Sequence, residues 1–228
     1  MAVPILITGN SGTGKSASLR NCVGNTNFNV INVLGKPFPF RGGSKINSGV
    51  TDDYAKVEIW LKKFPAQSIV IDDAGYLITN MFMRNHSNTG GGNSVFSLYN
   101  TMADKFWGLI EFIKNELPAE KIVYIIMHED TDDFGNIKPK TVGKLLDEKV
   151  NIQGLFTIVL RCVISNGKHV FVTQSTSTGD LAKSPIGMFD SLEIDNDLAY
   201  VDKTVREYLE IPDANNTKTT KKESKKND

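Results

Sequence analysis

Directly after the apolar run Val3–Thr8 comes Gly9-Asn10-Ser11-Gly12-Thr13-Gly14-Lys15-Ser16, which fills every fixed position of the pattern G-x-x-x-x-G-K-[ST]. No other stretch of the chain constrains its folding as tightly. Glycines here let the backbone curl until successive N–H groups face one point, which suits an anion. A helix started by the loop, expected over Lys15–Val23, turns its N-terminal N–H groups and dipole toward the same point. Lys15 is then placed for the β- and γ-phosphates of a nucleotide, and the Ser16 hydroxyl for Mg²⁺. A match arises by accident in on the order of one chain in a hundred of this length. The accident would also have to supply a strand before the loop and a helix after it. The loop, Gly9, Asn10, Ser11, Gly12, Thr13, Gly14, Lys15 and Ser16, is therefore expected to bind a nucleoside triphosphate: ATP with Mg²⁺.

The chain around the loop reads as α/β. Phe28–Leu34, Ser68–Ile71 and Lys121–Met127 are apolar or β-branched runs, as expected of strands buried on both faces. Helical segments lie between them. One is capped by Thr51, with Tyr54, Val57, Ile59, Trp60, Leu61 and Phe64 as its apolar positions; another is Ser94–Leu117, closed by Pro118. This alternation predicts a mostly parallel central sheet flanked by helices. Leu155–Ile164 and Lys168–Thr173, joined by Ser165-Asn166-Gly167, add an antiparallel hairpin at one edge. Gly35–Gly49 and Asn85–Asn93 read as loops, Glu129–Lys140 as a polar segment turning at Phe134-Gly135-Asn136, and Leu198–Leu209 as the last helix. The 228 residues allow one large domain, 1–211, ahead of a lysine-rich tail, 212–228, too poor in apolar residues to order.

Charge narrows the classes of partner. The chain is formally neutral, but Ala214–Asp228 holds five lysines against two acids, so the remainder is acidic. An acidic body has no general affinity for nucleic acid, and any such contact must be a local patch. Cys22 and Cys162 lack metal-ligand spacing and read as small buried residues. No signal peptide is visible, and no apolar stretch approaches the roughly 18 residues of a membrane helix. The expected location is the cytoplasm, away from membranes.

Asp72 follows the apolar run Ser68–Ile71. An acid at the end of a buried strand is what Mg²⁺ requires beside a phosphate loop, so Asp72 joins Ser16 as a metal residue. Asp73 either polarises the attacking water or caps a helix. The run Lys121–Met127 ends in His128-Glu129. If that strand lies beside the first, His128 meets the γ-phosphate as a sensor, and Glu129 competes with Asp73 as the water-activating base. An ordinary structural role stands against each. His86 and His169 have no comparable position. Two loops carry basic and aromatic residues of the kind that grip single strands, at about 1–3 kcal/mol per stacked base. One is Met83–Asn93, with Arg84 and His86; the other is Glu129–Lys140, with Phe134, Lys138 and Lys140. Glu129, Asp130, Asp132 and Asp133 oppose that reading in the second.

The phosphate loop, the strand ending in Asp72-Asp73, and the segments Val142–Leu146, Gly154–Leu160 and Ala182–Phe189 together resemble the phage-encoded single-domain ATPases with a RecA/Rad51-like core. The likeness spans residues 3–190. It implies a RecA-like P-loop NTPase core and a role in annealing or exchange of single-stranded DNA, with a single-strand-binding protein or another replication partner. It also implies homo-oligomers with ATP at subunit interfaces, where a basic residue of the neighbour reaches the γ-phosphate. That role carries onto Lys183, in the turn after the last strand; Arg161, inside an apolar strand, is less available. One departure matters. RecA-type cores carry a catalytic glutamate at the end of the second strand, which here ends Val33-Leu34-Gly35-Lys36. Either Asp73 or Glu129 takes over, or hydrolysis is slow and ATP works mainly as a switch.

The sequence thus points to an ATPase acting on single-stranded DNA in phage recombination or replication. Its rival is a nucleotide-gated partner-binding module, such as a helicase loader or assembly factor, that leaves DNA contacts to the partner; the acidic body favours it. A small-molecule kinase is disfavoured, because the five arginines are scattered and form no lid to clamp a second substrate.

Overall fold

The computed structural model describes residues 1–88, 90, 93–143 and 145–212. The expected tail lies outside them from residue 213 onward. The strands are β1 (Val3–Thr8), β2 (Phe28–Asn32), β3 (Ser48–Val50), β4 (Ser68–Asp72), β5 (Ile122–Ile126), β6 (Glu129–Thr131), β7 (Ile137–Pro139), β8 (Ile158–Ser165), β9 (Lys168–Val172) and β10 (Glu193–Asp195). Eight of them form the main sheet in the order β10-β9-β8-β1-β5-β4-β2-β3, while β6 and β7 pair separately. From β3 to β8 every pairing is parallel; β9 and β10 extend the sheet antiparallel. The expected mostly parallel sheet with a C-terminal hairpin is the one observed.

Strand residues alternate between two cores. Leu6, Ile31, Ile69, Ile71, Val123 and Ile125 pack with helices α1 (Tyr54–Lys63), α2 (Gly75–Asn85) and α3 (Asn93–Glu116). Ile5, Ile7, Val30, Val70, Tyr124 and Ile126 pack on the other face with Leu19 and Cys22, just after the phosphate loop, and with Leu198, Val201 and Val205 of α4 (Leu198–Tyr208). Burial on both faces explains why these strands lack polar alternation.

α4 is anchored by a buried polar network. Asp202 accepts hydrogen bonds from Ser68 Oγ (2.6 Å), Tyr124 Oη (2.9 Å) and Arg206 Nε (2.9 Å), and Arg206 Nη2 also donates to Ser68 Oγ (2.6 Å). Each buried charge therefore has partners, as burial demands.

Several local expectations are corrected. The segment after the loop coils as a 3₁₀-helix over Ser16–Cys22. There the Ser18 hydroxyl bonds back to Lys15 O at 2.6 Å, and the Ser18 N–H is shared between Gly14 O and Lys15 O. α1 is capped by Asp53, which accepts from Lys56 N at 2.8 Å; Thr51 instead accepts from Asp53 N at 3.2 Å. α2 occupies a stretch for which the sequence pattern offers no element, and the segment read as loop over Gly35–Gly49 runs into the edge strand β3. Among the described residues no helix is long and apolar enough to cross a membrane.

Candidate functional site

Strand register builds the site. Ile7 pairs with Ile126, and Ile71 with Ile125, so β1, β5 and β4 leave the sheet at nearly one level. The Gly9 loop, His128 and Asp72-Asp73 stand in a row along that edge. β5 lies between β1 and β4, which brings His128 beside the loop. The Met127 N–H bonds Ile7 O at 2.9 Å and the Ala74 N–H bonds Ile126 O at 2.8 Å, which ties the three strand ends together.

The loop is tightly boxed in. A Cβ at Gly9 would lie 2.5 Å from Cys162 O, and one at Gly14, where φ is +101°, would lie 3.0 Å from the His169 ring. Neither position has room for a side chain. Thr13 O accepts from the Cys162 thiol (3.0 Å) and from His169 Nδ1 (2.8 Å). Burial pushes the Cys162 thiol up to about 11, so it stays protonated and donates.

Lys15 Nζ donates to Gly9 O (2.8 Å) and Asn10 O (2.7 Å) and lies 3.4 Å from His128 Nδ1. Its pKa is lowered by burial, against the pull of the nearby acids. An ammonium can only donate, so His128 Nδ1 is the acceptor and its Nε2–H faces Asp73, 3.5 Å from Oδ1. The Ser16 hydroxyl donates to Asp72 Oδ1 at 2.9 Å. Burial first, and the adjacent Asp73 second, push the Asp72 carboxyl up to about 6. A hydroxyl beside a carboxylate whose ionisation is this costly is a donor set that a hard divalent cation would relieve, so the residues fit Mg²⁺.

Asp73 sits just past β4 at φ +60°, a left-handed conformation unusual for a residue with a side chain. Its carboxylate meets Lys36 Nζ at 2.5 Å as well as His128. Burial alone would raise its pKa, but the bonds from His128 and Lys36 outweigh burial and hold it below the ordinary value.

Glu129 reaches the flank of the loop, where Oε1 accepts from Asn10 Nδ2 at 3.1 Å. Both of its oxygens are also taken by Arg161, each at 2.9 Å, and the Arg161 guanidinium lies 3.9 Å from Asp180. Of the two acids weighed as the base, Asp73 lines the cavity beside the loop, whereas Glu129 is clamped in a bidentate pair. Lys183 is not brought to this chain's loop. Its backbone bridges Val159, level with Leu6 and short of the sheet edge, and it lines a separate cavity with Lys138, Lys149 and Asp180.

A cavity of about 340 Å³ opens over the loop, lined by Lys15, Ser16, Lys36, Asp73, His128 and His169 among others. Sequence reasoning missed two of these. Lys36 stands just past the second strand, where an acid is lacking, so the position, not the residue type, was the available signal. His169 offered none, because only the hairpin pairing of β8 with β9 carries it to Gly14.

A strand, a glycine-rich phosphate loop and a helix, with a lysine and a serine on the loop and an acid at the end of β4, two strands away, define the P-loop nucleoside triphosphatase class. Residues 1–186 match the AAA domain family, and the chain belongs to that family of nucleotide-binding P-loop ATPases. No curated protein matches the chain.

Proposed function

We propose that this protein is a Mg²⁺-dependent ATPase whose nucleotide state governs its grip on single-stranded DNA. The nucleotide half rests on the 2.9 Å contact between Ser16 and Asp72, beneath a loop that carries Lys15 and a cavity that opens over both. Ser16 and Asp72 would hold Mg²⁺, which supplies charge neutralisation when bound. The Gly9–Ser16 backbone and Lys15 would hold the β- and γ-phosphates of ATP, Lys15 exchanging its bonds to Gly9 O and Asn10 O for phosphate oxygens. His128, 3.4 Å from Lys15, reads the presence of the γ-phosphate. Asp73, with the His128 Nε2–H, orients water. Its lowered pKa makes it a weak base, so turnover is slow and ATP serves largely as a switch.

The DNA half is supported by the likeness to phage recombination ATPases and by the β6–β7 hairpin. Phe134 at its tip is 91% exposed, and Lys138 follows on the return strand. Glu129 starts the hairpin and bonds Asn10 of the loop, so loop and hairpin share a residue. In an assembly of copies, Lys183 of one would serve the nucleotide of the next. The rival reading, a nucleotide-gated partner-binding module, is favoured by the acidic body and by bare apolar side chains such as Ile186. ATP hydrolysis with and without single-stranded DNA, at low and moderate salt, with Lys15→Ala as control, separates them. Stimulation that weakens with salt and vanishes in Lys15→Ala supports the DNA reading. Equal rates with and without DNA sink it and leave the partner-binding module.

A further inference from the structure

We infer that Lys36 is a second γ-phosphate ligand supplied by the same chain, parked on Asp73 until a triphosphate arrives. The inference rests on the reading of the loop as a nucleoside triphosphate site. Lys36 is held by a built turn. Asn32, the last residue of β2, pairs in register with Asp72 and is buried. Its Oδ1 accepts from Gly35 N at 2.8 Å and its Nδ2 donates to Lys36 O at 2.7 Å. These two bonds clamp the backbone on either side of the turn and fix where the Lys36 side chain starts.

That side chain is 58% exposed, yet its ammonium reaches the buried Asp73 carboxylate at 2.5 Å, on the wall of the cavity that Lys15 and Ser16 line. Asp73 does not depend on Lys36 alone, since His128 faces its other oxygen. When Lys36 leaves, Asp73 keeps its His128 contact and loses one of two partners rather than both. A terminal phosphate offers more charge and more acceptor oxygens than a single carboxylate, and the ammonium is a compact cation with three rotatable donors. Two lysines opposite two carboxylates leave the cavity near neutral. A Mg²⁺-bound triphosphate remains negative, and moving Lys36 onto it brings a second cation at no cost in long-range rearrangement.

A ligand of the γ-phosphate alone sets the preference for triphosphate over diphosphate. We would measure binding of fluorescent ADP and of a non-hydrolysable ATP analogue to the full chain with Mg²⁺. Lys36→Ala is expected to weaken the triphosphate about tenfold, the worth of one charge-assisted hydrogen bond, and to leave ADP within about twofold. Asp73→Asn releases Lys36 and raises the triphosphate preference. Lys36→Ala also removes a partner of the buried Asp73, so its melting curve at neutral pH should fall somewhat below wild type, and binding is compared at a temperature where both are folded. Unchanged discrimination in Lys36→Ala overturns the assignment. So does a loss in Asp73→Asn that matches Lys36→Ala, because Lys36 would then act only by holding Asp73. If wild type binds neither nucleotide, the loop reading itself fails; binding of both with equal discrimination in wild type and Lys36→Ala removes Lys36 alone.

Discussion

Asp72→Asn tests the site through stability, without any turnover assay. Asp72 is 4% exposed, and burial, then the neighbouring Asp73, push its carboxyl from 3.8 to about 6. An acid whose pKa is higher folded than unfolded holds its proton more tightly in the native state. It therefore favours the fold at low pH, and that contribution is lost as pH rises from about 4 through 6. The difference corresponds to about 3 kcal/mol by which the ionised carboxylate burdens the ligand-free fold at neutral pH. Asparagine keeps the size and an oxygen for the Ser16 hydroxyl but carries no charge. With about 2–4 °C per kcal/mol for a chain of this length, and part of the cost relieved by relaxation, Asp72→Asn should melt about 5 °C above wild type at pH 7.5 in EDTA. At pH 5, midway between the unfolded and folded values, the gap should fall to about half, and it should close only below about pH 4. Adding Mg²⁺ with a non-hydrolysable ATP analogue should reverse the order at pH 7.5, because only wild type gains binding energy from the metal-bound ligand. Melting curves followed by circular dichroism under the three conditions read all of this. A variant that melts below wild type at pH 7.5 in EDTA, or a difference independent of pH, would refute the reasoning.

Lys15→Ala should lower kcat for ATP hydrolysis by about 10²–10³, in the range of other lost charge-stabilising donors, in steady-state assays; wild-type turnover in the variant would remove the loop from catalysis. Arg206→Ala leaves Asp202 buried beneath α4 without its cation, so urea unfolding should show a loss of about 3–5 kcal/mol, with nucleotide affinity per folded molecule unchanged. Phe134→Ala, at the bare tip of the hairpin, should cost single-stranded DNA binding about 1–3 kcal/mol by fluorescence anisotropy and leave ATP binding as in wild type.

The parts of the fold legible in the sequence are those written in consecutive residues. β1, the loop and the runs that form β4 and β5 have uninterrupted apolar character. Asn166-Gly167, both at positive φ, are residue types that mark the β8–β9 turn by themselves. α2 leaves no comparable trace. It starts at Gly75 after Ala74, with no side-chain cap, and the two acids before it read as chemistry rather than as a helix start. β3 has three residues and adds to an edge, too short for a pattern. At the site, Lys15, Ser16 and Asp72 are legible because their spacing to the loop or to a strand end is fixed. The state of Glu129 is not, since its occupation by Arg161 depends on β8 lying beside β1. Arg161 reads as less available because its strand is apolar. At the strand's register with Thr8 it instead stands at the sheet edge, partly in solvent.

The strain at Asp73 and the lysine at the end of β2 belong to one arrangement. Successive residues of a strand point to opposite faces, so two adjacent acids continuing β4 would not both face the loop. Asp72 meets Ser16 from within the strand. Asp73 is turned toward the same cavity only because its backbone adopts φ +60°, at a cost of about 1 kcal/mol. The Ala74 N–H bond to Ile126 O and the start of α2 hold the chain in that turn. From there the carboxylate touches Lys36 directly and Lys15 through His128. Its position is thus set by cations on either side of the loop and by backbone it does not control. An acid so engaged is a poor proton acceptor and a good anchor. With Glu129 clamped by Arg161, none of the described residues around the cavity offers a carboxylate free to act as a strong base, while the cavity is well supplied with cations for phosphate. That balance of charges favours holding a triphosphate over hydrolysing it quickly, and it makes the release of Lys36 from Asp73 the local event by which the chain distinguishes ATP from ADP.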